Sequence, residues 1–456
     1  MNEPVSTWVG ELDMAVGGNA RPVIRPLAPT DRMARIWVRR DGAPQGFFEV
    51  PVIEGVIDST TLAKELSEFL STAGEDRIDC EDPVGPQSGT ARRPGDGDRA
   101  VPVSIIVATK GRPDLAEQSL LSLQQLAYPS FEVVLVDGSP DGRTKEAFEG
   151  VVGSDTKFRY IGEPRPGLSL ARNVGVSHAT HEVVAFTDDD CRVDPHWLRF
   201  LVRPFEVDPG VACVTGMVPS GDLRTPAQQY FDRRVWWSSQ LHPRVFSEVP
   251  ESGDSPLYPF RVGIYGTGAN FAMRRMAVAE LGWFSELLGA GSPCCGGGED
   301  QDMFVRVIRS GRRLAYEPSA VVWHEGRVTD DELKAQLQEY GRGILINGLK
   351  WLCDADMRPD VVRRLPRAVV YYVRLVAGKG MSGSGRGGSM VAAELGGVPL
   401  GLWSFVKGYR QWLNEESGFD RRPAFGRARR GGGRHQSRRP LGAEGAGHRP
   451  SGEAVQ

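Results

Sequence analysis

Cysteine is scarce in this sequence, with 6 residues in a chain of 456, and no two of them form a CxxC pair. Only Cys294 and Cys295 are adjacent, and neighbouring cysteines chelate a single metal ion poorly. Scattered cysteines without a repeated spacing are typical of proteins from reducing compartments. The pattern therefore argues against a disulfide framework.

A positive net charge and a long apolar run are also missing. The formal net charge is −3, which argues against a protein that coats nucleic acid. The first 22 residues lack a basic start followed by an apolar core, so no secretory signal is predicted. The most apolar run, 398–406, is too short to span a bilayer. These absences predict a cytoplasmic protein without a nucleic-acid partner. They leave open a peripheral position at the inner face of the cell membrane.

Changes in composition divide the chain into five parts. Residues 1–80 contain short strand-like pieces around the turn Asp41-Gly42, which predicts a small β-rich accessory module. Residues 81–100 are rich in Pro, Gly and charge and are expected to be a linker. Alternating strands and helices are expected over 101–329 and a helical region over 330–418. A disordered tail rich in Arg and Gly is expected over 419–456.

Apolar runs of strand length alternate with helical patterns after Val101. The predicted strands are 103–108, 131–136, 158–161, 183–187, 211–214 and 320–323. The predicted helices are 115–125, 168–179, 195–205, 274–281 and 299–310. Such alternation is typical of an α/β fold in which helices cover both faces of a mostly parallel sheet.

Three consecutive carboxylates, Asp188, Asp189 and Asp190, follow the predicted buried strand 183–187. Like charges this close raise one another's pKa, and a divalent cation removes the conflict. Hard carboxylate oxygens suit Mg²⁺ or Mn²⁺, which bind through one or two carboxylates together with substrate phosphates. Because open α/β folds place ligands at the carboxyl edge of the sheet, the triplet predicts a metal–phosphate site there. The alternative is a solvated turn that caps the next helix.

Polar residues also follow the other predicted strands, so they should reach the same sheet edge. Thr109 and Arg112 follow the first strand, and Asp137 follows the second. The segment that leads into the helix before the triplet contains Gly167, Arg172 and Asn173. A buried carboxylate can accept a hydrogen bond from a base, whereas Arg and Asn suit ribose or phosphate. Together they predict a nucleotide site.

In this order and spacing, the segments resemble the family 2 inverting glycosyltransferases with a GT-A fold. The matching segments are 103–109, 134–139, 167–175, 186–190, 298–302 and 322–324, and the resemblance covers about Val101 to Arg327. No QxxRW motif follows His324. The chain is therefore similar to the non-processive members rather than to processive polysaccharide synthases.

The resemblance implies a nucleoside diphosphate sugar donor, a Mn²⁺ or Mg²⁺ ion and a general base. The implied donor contacts are Thr109, Arg112, Asp137, Gly167, Arg172, Asn173, Asp188 and Asp189. The implied metal ligands are Asp188, Asp190 and His324. Asp300 matches the base, and the acceptor side is assigned to Gly268, Asn270, Glu299 and Asp302.

The predicted function is metal-dependent, inverting transfer of a sugar to a hydroxyl of a glycan, lipid or small molecule. Cell wall or polysaccharide biosynthesis is the expected context. Two alternatives share the nucleotide-binding sheet: a sugar-1-phosphate nucleotidyltransferase and a non-catalytic module that binds sugar nucleotides. The apolar residues 400–406, flanked by Lys407 and Arg410, suit either docking on a membrane surface or burial against the core.

Overall fold

A computed structural model describes residues 5–14, 20–72, 100–251, 255–261, 263–294, 296–380 and 385–416. The predicted tail, 419–456, and all of the predicted linker except Ala100 lie outside these residues. The remaining parts contain two sheets and a C-terminal group of helices.

The N-terminal residues form a four-stranded sheet of order β2-β1-β3-β4 and one helix. Its elements are β1 (Thr7–Asp13), β2 (Arg21–Pro22), β3 (Met33–Arg40), β4 (Ala43–Pro51) and α1 (Ser59–Thr72). Strands β3 and β4 pair antiparallel, and Asp41 and Gly42 between them have positive φ, as a tight hairpin turn requires. The turn predicted at Asp41-Gly42 between two strands is therefore confirmed.

The central sheet has nine strands and is mostly parallel. Its strands are β5 (Val103–Thr109), β6 (Phe131–Asp137), β7 (Phe158–Gly162), β8 (Val183–Asp188), β9 (Cys191–Val193), β10 (Val211–Met217), β11 (Arg244–Phe246), β12 (Asn270–Arg274) and β13 (Arg313–His324). The order along the sheet is β11-β13-β10-β12-β8-β5-β6-β7, with β9 paired to β13. The predicted fold class, α/β with a mostly parallel sheet and a C-terminal helical region, is confirmed.

Helices cover both faces of this sheet. They are α2 (Pro113–Gln124), α3 (Arg143–Val152), α4 (Leu168–His178), α5 (Trp197–Val207), α6 (Pro226–Arg234), α7 (Arg275–Glu280) and α8 (Glu299–Arg309). Alternate residues of β5 enter different cores, since Ile106 packs in one cluster while Ile105 and Val107 pack in another. This period of two is the burial pattern of a strand covered on both faces.

Strand β12 was not predicted from the sequence. It pairs antiparallel with both β10 and β8 and lies between these two strands. Its residues are buried up to Met273. A five-residue strand beside a long irregular segment gives little periodic signal, because most of its order comes from its two neighbours.

The N-terminal sheet packs against the end of β13. The Trp37 ring lies edge-on to Trp323, with the ring centroids 6.0 Å apart. The buried Arg39 guanidinium pairs with Asp194, which lies just after β9. The N-terminal sheet therefore supports the strand that ends in His324.

Three helices follow the central sheet: α9 (Asp330–Cys353), α10 (Arg358–Gly380) and α11 (Gly385–Glu416). Helix α9 begins with a capping box made by Thr329 and Glu332. Helices α9 and α11 approach closely, since a Cβ on Gly341 or Gly397 would clash with a backbone carbonyl of the facing helix. This contact fixes one face of α11 against the rest of the protein.

One segment of the described chain, Gly387–Arg410 within α11, is long and apolar enough to cross a membrane. The expectation that no stretch reaches this length is therefore wrong. Pro399 lies inside the helix without ending it. However, 39% of the most apolar window is buried inside the protein, against which α11 packs.

Candidate active site

The ends of three parallel strands bring the predicted donor residues to one edge of the sheet. Thr109 ends β5 and pairs in register with Asp137, the last residue of β6. Asp188 ends β8 and pairs with Ala108 of β5. Their side chains gather at one edge because the carboxyl ends of neighbouring parallel strands lie together.

The three consecutive carboxylates point to different partners. Asp189 is buried and accepts hydrogen bonds from Thr109 Oγ1 at 2.8 Å and Arg112 Nη1 at 3.2 Å. Asp188 pairs with Arg172 at 3.2 Å and is the most open of the three, with 32% of its side chain exposed. Asp190 faces His324 instead. Asp189 therefore supports the strand ends, whereas Asp188 and Asp190 flank the open site.

The neighbouring carboxylates of the triplet act on one another's pKa. Burial raises the pKa of Asp188, and Asp190 and Asp189 raise it further against the opposing effect of Arg172. A divalent cation would relieve this repulsion by favouring the ionised form. The electrostatics thus agree with the predicted cation site.

The pairing of β9 with β13 brings His324 to the carboxylates. His324 lies opposite Cys191 in this register, and its Nε2 is 3.8 Å from Asp190 Oδ1. Burial lowers the pKa of His324, which favours the neutral imidazole that binds metals. Asp190 and His324 are therefore a fitting oxygen–nitrogen pair for Mn²⁺.

The three predicted metal ligands do not form one group. Within the described ranges, no three His, Cys, Asp or Glu side chains are placed to hold a metal ion together. Asp188 turns to Arg172, so it contributes charge beside the Asp190–His324 pair. A metal on this pair would need further ligands, and substrate phosphates and waters commonly supply them.

The predicted base stands at the first turn of α8. Gly298 precedes the helix with φ of 98°, a conformation that favours glycine. Asp300 is 9% exposed, and its Oδ1 accepts the backbone N–H of Gln301 at 2.8 Å. Gly268 leaves space beside it, because a Cβ there would lie 3.2 Å from Asp300 Oδ2.

Arg172 links the two halves of the site. Its Nη1 donates to Glu299 Oε1 at 2.5 Å, while its Nη2 donates to Asp188 Oδ1 at 3.2 Å and to the Gly268 carbonyl at 3.0 Å. The residue is only 2% exposed. Arg172 therefore holds the metal-side carboxylate and the start of α8 in a fixed relation.

Comparison with known sequences identifies the domain that carries the three strand ends and the carboxylate triplet. Residues 104–282 match the sequence model of Glycosyl transferase family 2. The chain contains a glycosyltransferase family 2 domain. The predicted family is thereby confirmed, and so is the predicted enzyme class at the level of this domain.

Relatives of the family 2 domain include other glycosyltransferases. The Pre-mycofactocin glycosyltransferase of Mycobacterium tuberculosis is 28% identical over 251 residues, which are 55% of this chain and 48% of that protein. The chain thus spans about half the length of that relative. The succinoglycan biosynthesis protein ExoM of Rhizobium meliloti is 30% identical over 232 residues, 49% of this chain and 66% of that protein.

A solved structure similar to this chain is the mannosyltransferase PcManGT from Pyrobaculum calidifontis in complex with GDP-Man and Mn²⁺. It is 20% identical, with a TM-score of 0.41, and the match covers 71% of this chain and 89% of that one.

Two residues that were predicted to contact the donor, Asp137 and Asn173, make hydrogen bonds within the protein. Asp137 is 1% exposed and accepts hydrogen bonds from Ser139 N at 2.8 Å and Tyr160 Oη at 2.7 Å. The Asn173 amide exchanges two hydrogen bonds of 2.9 Å with the backbone of Phe284. Both residues fix loops beside this edge of the sheet, and their contact with a nucleotide stays a prediction.

Gly167 stands at the N-terminus of α4 with φ of 132°, where a side chain would be strained. The Leu168 N–H behind it donates to the Ala290 carbonyl at 2.9 Å. The loop around Ala290 therefore covers the start of α4, and Gly167 makes the turn that allows this contact.

Two predicted acceptor-side residues lie in the interior. Asn270 is 0% exposed, and its side chain bonds Trp197 Nε1 and the carbonyls of Met217 and Ala320. Asp302 is also 0% exposed and pairs with Lys350 and Arg306. These contacts favour a structural role for both residues, because distant partners satisfy their polar groups, and the acceptor side stays a prediction for them. Glu299 is likewise buried and pairs with Arg172.

Three residues beside the site were not predicted from the sequence: Gln301, Arg327 and Tyr340. Gln301 Nε2 donates to Asp300 Oδ2 at 3.3 Å and to the Gly266 carbonyl at 3.1 Å, so it orients the candidate base. Arg327 Nη2 lies 3.8 Å from Asp190 Oδ2. The position of Gln301 between two acidic residues was a usable signal, but nothing in the sequence marked the other two.

Proposed function

We propose that the protein is a metal-dependent, inverting glycosyltransferase that moves a sugar from a nucleoside diphosphate donor to a hydroxyl acceptor. The observation that carries the proposal is the arrangement around Arg172. One side of this residue holds Asp188 in the carboxylate cluster, and the other holds Glu299, which precedes Asp300. A single displacement requires a site for the leaving group on one side of the anomeric carbon and a base on the other side.

The chemical step needs one base. The acceptor oxygen attacks the anomeric carbon, the bond from that carbon to the diphosphate oxygen breaks, and its electron pair stays on the diphosphate. Asp300 takes the hydroxyl proton. Burial and Glu299 raise the pKa of Asp300 to about 6 against the opposing effect of Arg172, so the carboxylate remains ionised at neutral pH but is a stronger base.

Asp190 and His324 are the residues proposed to hold the divalent ion, with Asp188 beside them. When bound there, Mn²⁺ or Mg²⁺ would supply Lewis-acid compensation for the charge of the diphosphate. Arg112 and Arg327 add positive charge around Asp190, at 3.5 Å and 3.8 Å from its Oδ2. The acceptor class proposed is a glycan, a lipid-linked sugar or a small molecule, in cell wall or polysaccharide biosynthesis.

Nucleotide sugars with manganese should raise the melting temperature of the protein. A ligand that binds only the native state stabilises it by about 2.7 kcal/mol at 100 times its Kd. Thermal unfolding is measured with UDP, GDP and dTDP sugars, with and without MnCl₂. The Asp190→Asn variant should lose the manganese-dependent part of the shift. Asp141→Asn, an exposed carboxylate of a surface turn, should keep it. If no nucleotide sugar shifts the parent protein, or if a nucleoside triphosphate with a sugar phosphate yields pyrophosphate, the proposal is wrong.

We infer in addition that α11 docks on an anionic membrane surface. The face opposite the α9 contact exposes Leu402, Trp403 and Val406, which are 53%, 66% and 48% exposed. Lys407 lies over the Trp403 ring at 5.3 Å from its centroid, and Arg410 is also exposed. An apolar stripe flanked by cations suits the interface between acyl chains and acidic headgroups.

The full chain should float with vesicles that contain phosphatidylglycerol. It should not float with neutral phosphatidylcholine vesicles. The double variant Leu402→Ser/Trp403→Ser should lose flotation, because it removes the apolar stripe. A matched variant, Ile53→Ser/Val249→Ser, removes two exposed apolar side chains elsewhere and should float as the parent does. If Leu402→Ser/Trp403→Ser floats as well as the parent, the membrane contact lies outside α11. If the parent itself does not float, the membrane proposal is wrong.

A further inference from the structure

Tyr340 of α9 lies beside the proposed site although it stands far outside the matched region 104–282. The Phe231 ring of α6 lies close to the rings of both Tyr340 and His324. The centroid of this ring is 6.4 Å from that of Tyr340 and 6.5 Å from that of His324. Tyr340 is therefore held at the sheet edge at which β13 ends.

Charged groups from both sides of the site act electrostatically on the Tyr340 phenol. Burial raises its pKa, and the fields of Asp300 and Asp190 add to this effect. A hydrogen bond from Gln336 and the positive charge of Arg327 oppose it. Tyr340, held beside His324 through the Phe231 ring, is thus within electrostatic reach of both the candidate base and the candidate metal ligand.

The hydrogen-bonding state of the phenol matches a donor role. Gln336 Nε2 donates to the Tyr340 oxygen at 3.1 Å, one turn earlier on α9. This contact uses the oxygen as an acceptor, so the O–H remains as a donor. A phenol carries its proton at neutral pH in any case.

We propose that Tyr340 donates a hydrogen bond to the leaving diphosphate and that Arg327 supplies positive charge beside it. This inference rests on the proposed glycosyltransferase function. Negative charge grows on the diphosphate oxygen as its bond to the sugar breaks, and fixed donors aimed there stabilise the transition state. An acceptor hydroxyl is neutral and needs a base, so a phenol O–H beside a guanidinium suits the diphosphate better.

Binding of nucleoside diphosphates tests the inference without turnover. Calorimetry with MnCl₂ compares UDP, GDP, ADP, CDP and dTDP with the corresponding monophosphates. For the nucleotide that binds the parent, Tyr340→Phe should weaken the diphosphate about 10-fold and leave the monophosphate unchanged, because only the former reaches the phenol. The kcat of transfer should fall by about 10- to 100-fold with little change in the acceptor KM.

Tyr128→Phe is the matched control. Its phenol is partly buried and donates to the Val101 carbonyl at 2.7 Å, at the start of β5 and so at the opposite edge of the sheet. This variant should bind both nucleotides as the parent does. Arg327→Gln, which alters a partly exposed side chain, should reproduce the selective loss of diphosphate affinity.

The outcomes separate this inference from the function on which it rests. If the parent binds no nucleoside diphosphate, the glycosyltransferase proposal itself fails. If the parent binds one and Tyr340→Phe binds it equally well, the phenol does not contact the diphosphate. An equal loss for diphosphate and monophosphate, with a lower melting temperature, would assign Tyr340 a purely structural role.

Discussion

Replacing Asp300 by Asn should lower the kcat of sugar transfer by about 100- to 10 000-fold, the usual contribution of a general base. The amide keeps the shape of the side chain and can still accept the Gln301 N–H, but it cannot take the acceptor proton. The proposed nucleotide site lies beside Asp188, on the other side of Arg172, so the donor Kd should stay close to the parent value. Initial rates and calorimetric donor binding are measured on the same preparation.

The matched control is Asp331→Asn. Asp331 is also a carboxylate in the first turn of a helix, but it is exposed on α9 and lies outside the site. It should transfer sugar at the parent rate. A parent-like rate for Asp300→Asn would require another base, whereas loss of donor binding would move Asp300 to the donor side.

The dependence of the transfer rate on pH tests the role of Asp300 independently. The ionised form of Asp300 is the active one, and its pKa is raised to about 6 by burial and Glu299, although Arg172 opposes the shift. The transfer rate of the parent should therefore fall as the pH drops through about 6. The residual rate of Asp300→Asn should not show this limb.

The sheet edge at which the donor is proposed to bind could be predicted from the sequence. The end of each strand is a local signal, and parallel pairing brings these ends together. Each apolar run ends in polar residues, and parallel pairing sets Thr109 beside Asp137 and Asp188 beside Ala108. The sequence contains both the period of the strands and the position at which each one stops. Four separate segments could therefore be assigned to one site before their contacts were known.

The roles of Asn270 and Asp302 could not be predicted, because their partners are distant in sequence. Asn270 bonds Trp197, which is 73 residues away, and Asp302 bonds Trp351, which is 49 residues away. A polar residue beside a motif has the same appearance in the sequence whether it faces a ligand or a buried partner. Tyr340 is the opposite case, since an ordinary helical position becomes part of the site only when α9 packs beside α6.

Replacing Asp302 by Asn should lower the free energy of unfolding by about 3–5 kcal/mol, the range for breaking a buried ion pair from one side. Burial alone would raise the pKa of Asp302, but Arg306 and Lys350 lower it to about 2. The amide keeps the volume of the side chain and removes the charge that neutralises both cations. Urea unfolding at pH 7 measures the loss.

The control for this variant is Asp360→Asn, which also removes a carboxylate that ties α8 to the C-terminal helices. Asp360 pairs with Arg309 but is 20% exposed, so its loss should cost about 1 kcal/mol or less. Double replacement of Asp302 by Asn and Lys350 by Met should be milder than the sum of the single changes, because one unpaired cation is removed as well.

The pH dependence of stability follows from the sign of the shift. The folded-state pKa of Asp302, about 2, lies below the unfolded value of about 3.9. The ionised carboxylate of Asp302 therefore stabilises the folded state fully above about pH 4. This contribution to the free energy of unfolding, about 2 kcal/mol, disappears as the pH falls towards 2. The Asn variant should not show this part of the acid dependence. Transfer kinetics of the folded variant then decide the role of Asp302: an unchanged acceptor KM agrees with a purely structural residue, whereas a raised acceptor KM with parent-like stability would return it to the acceptor side.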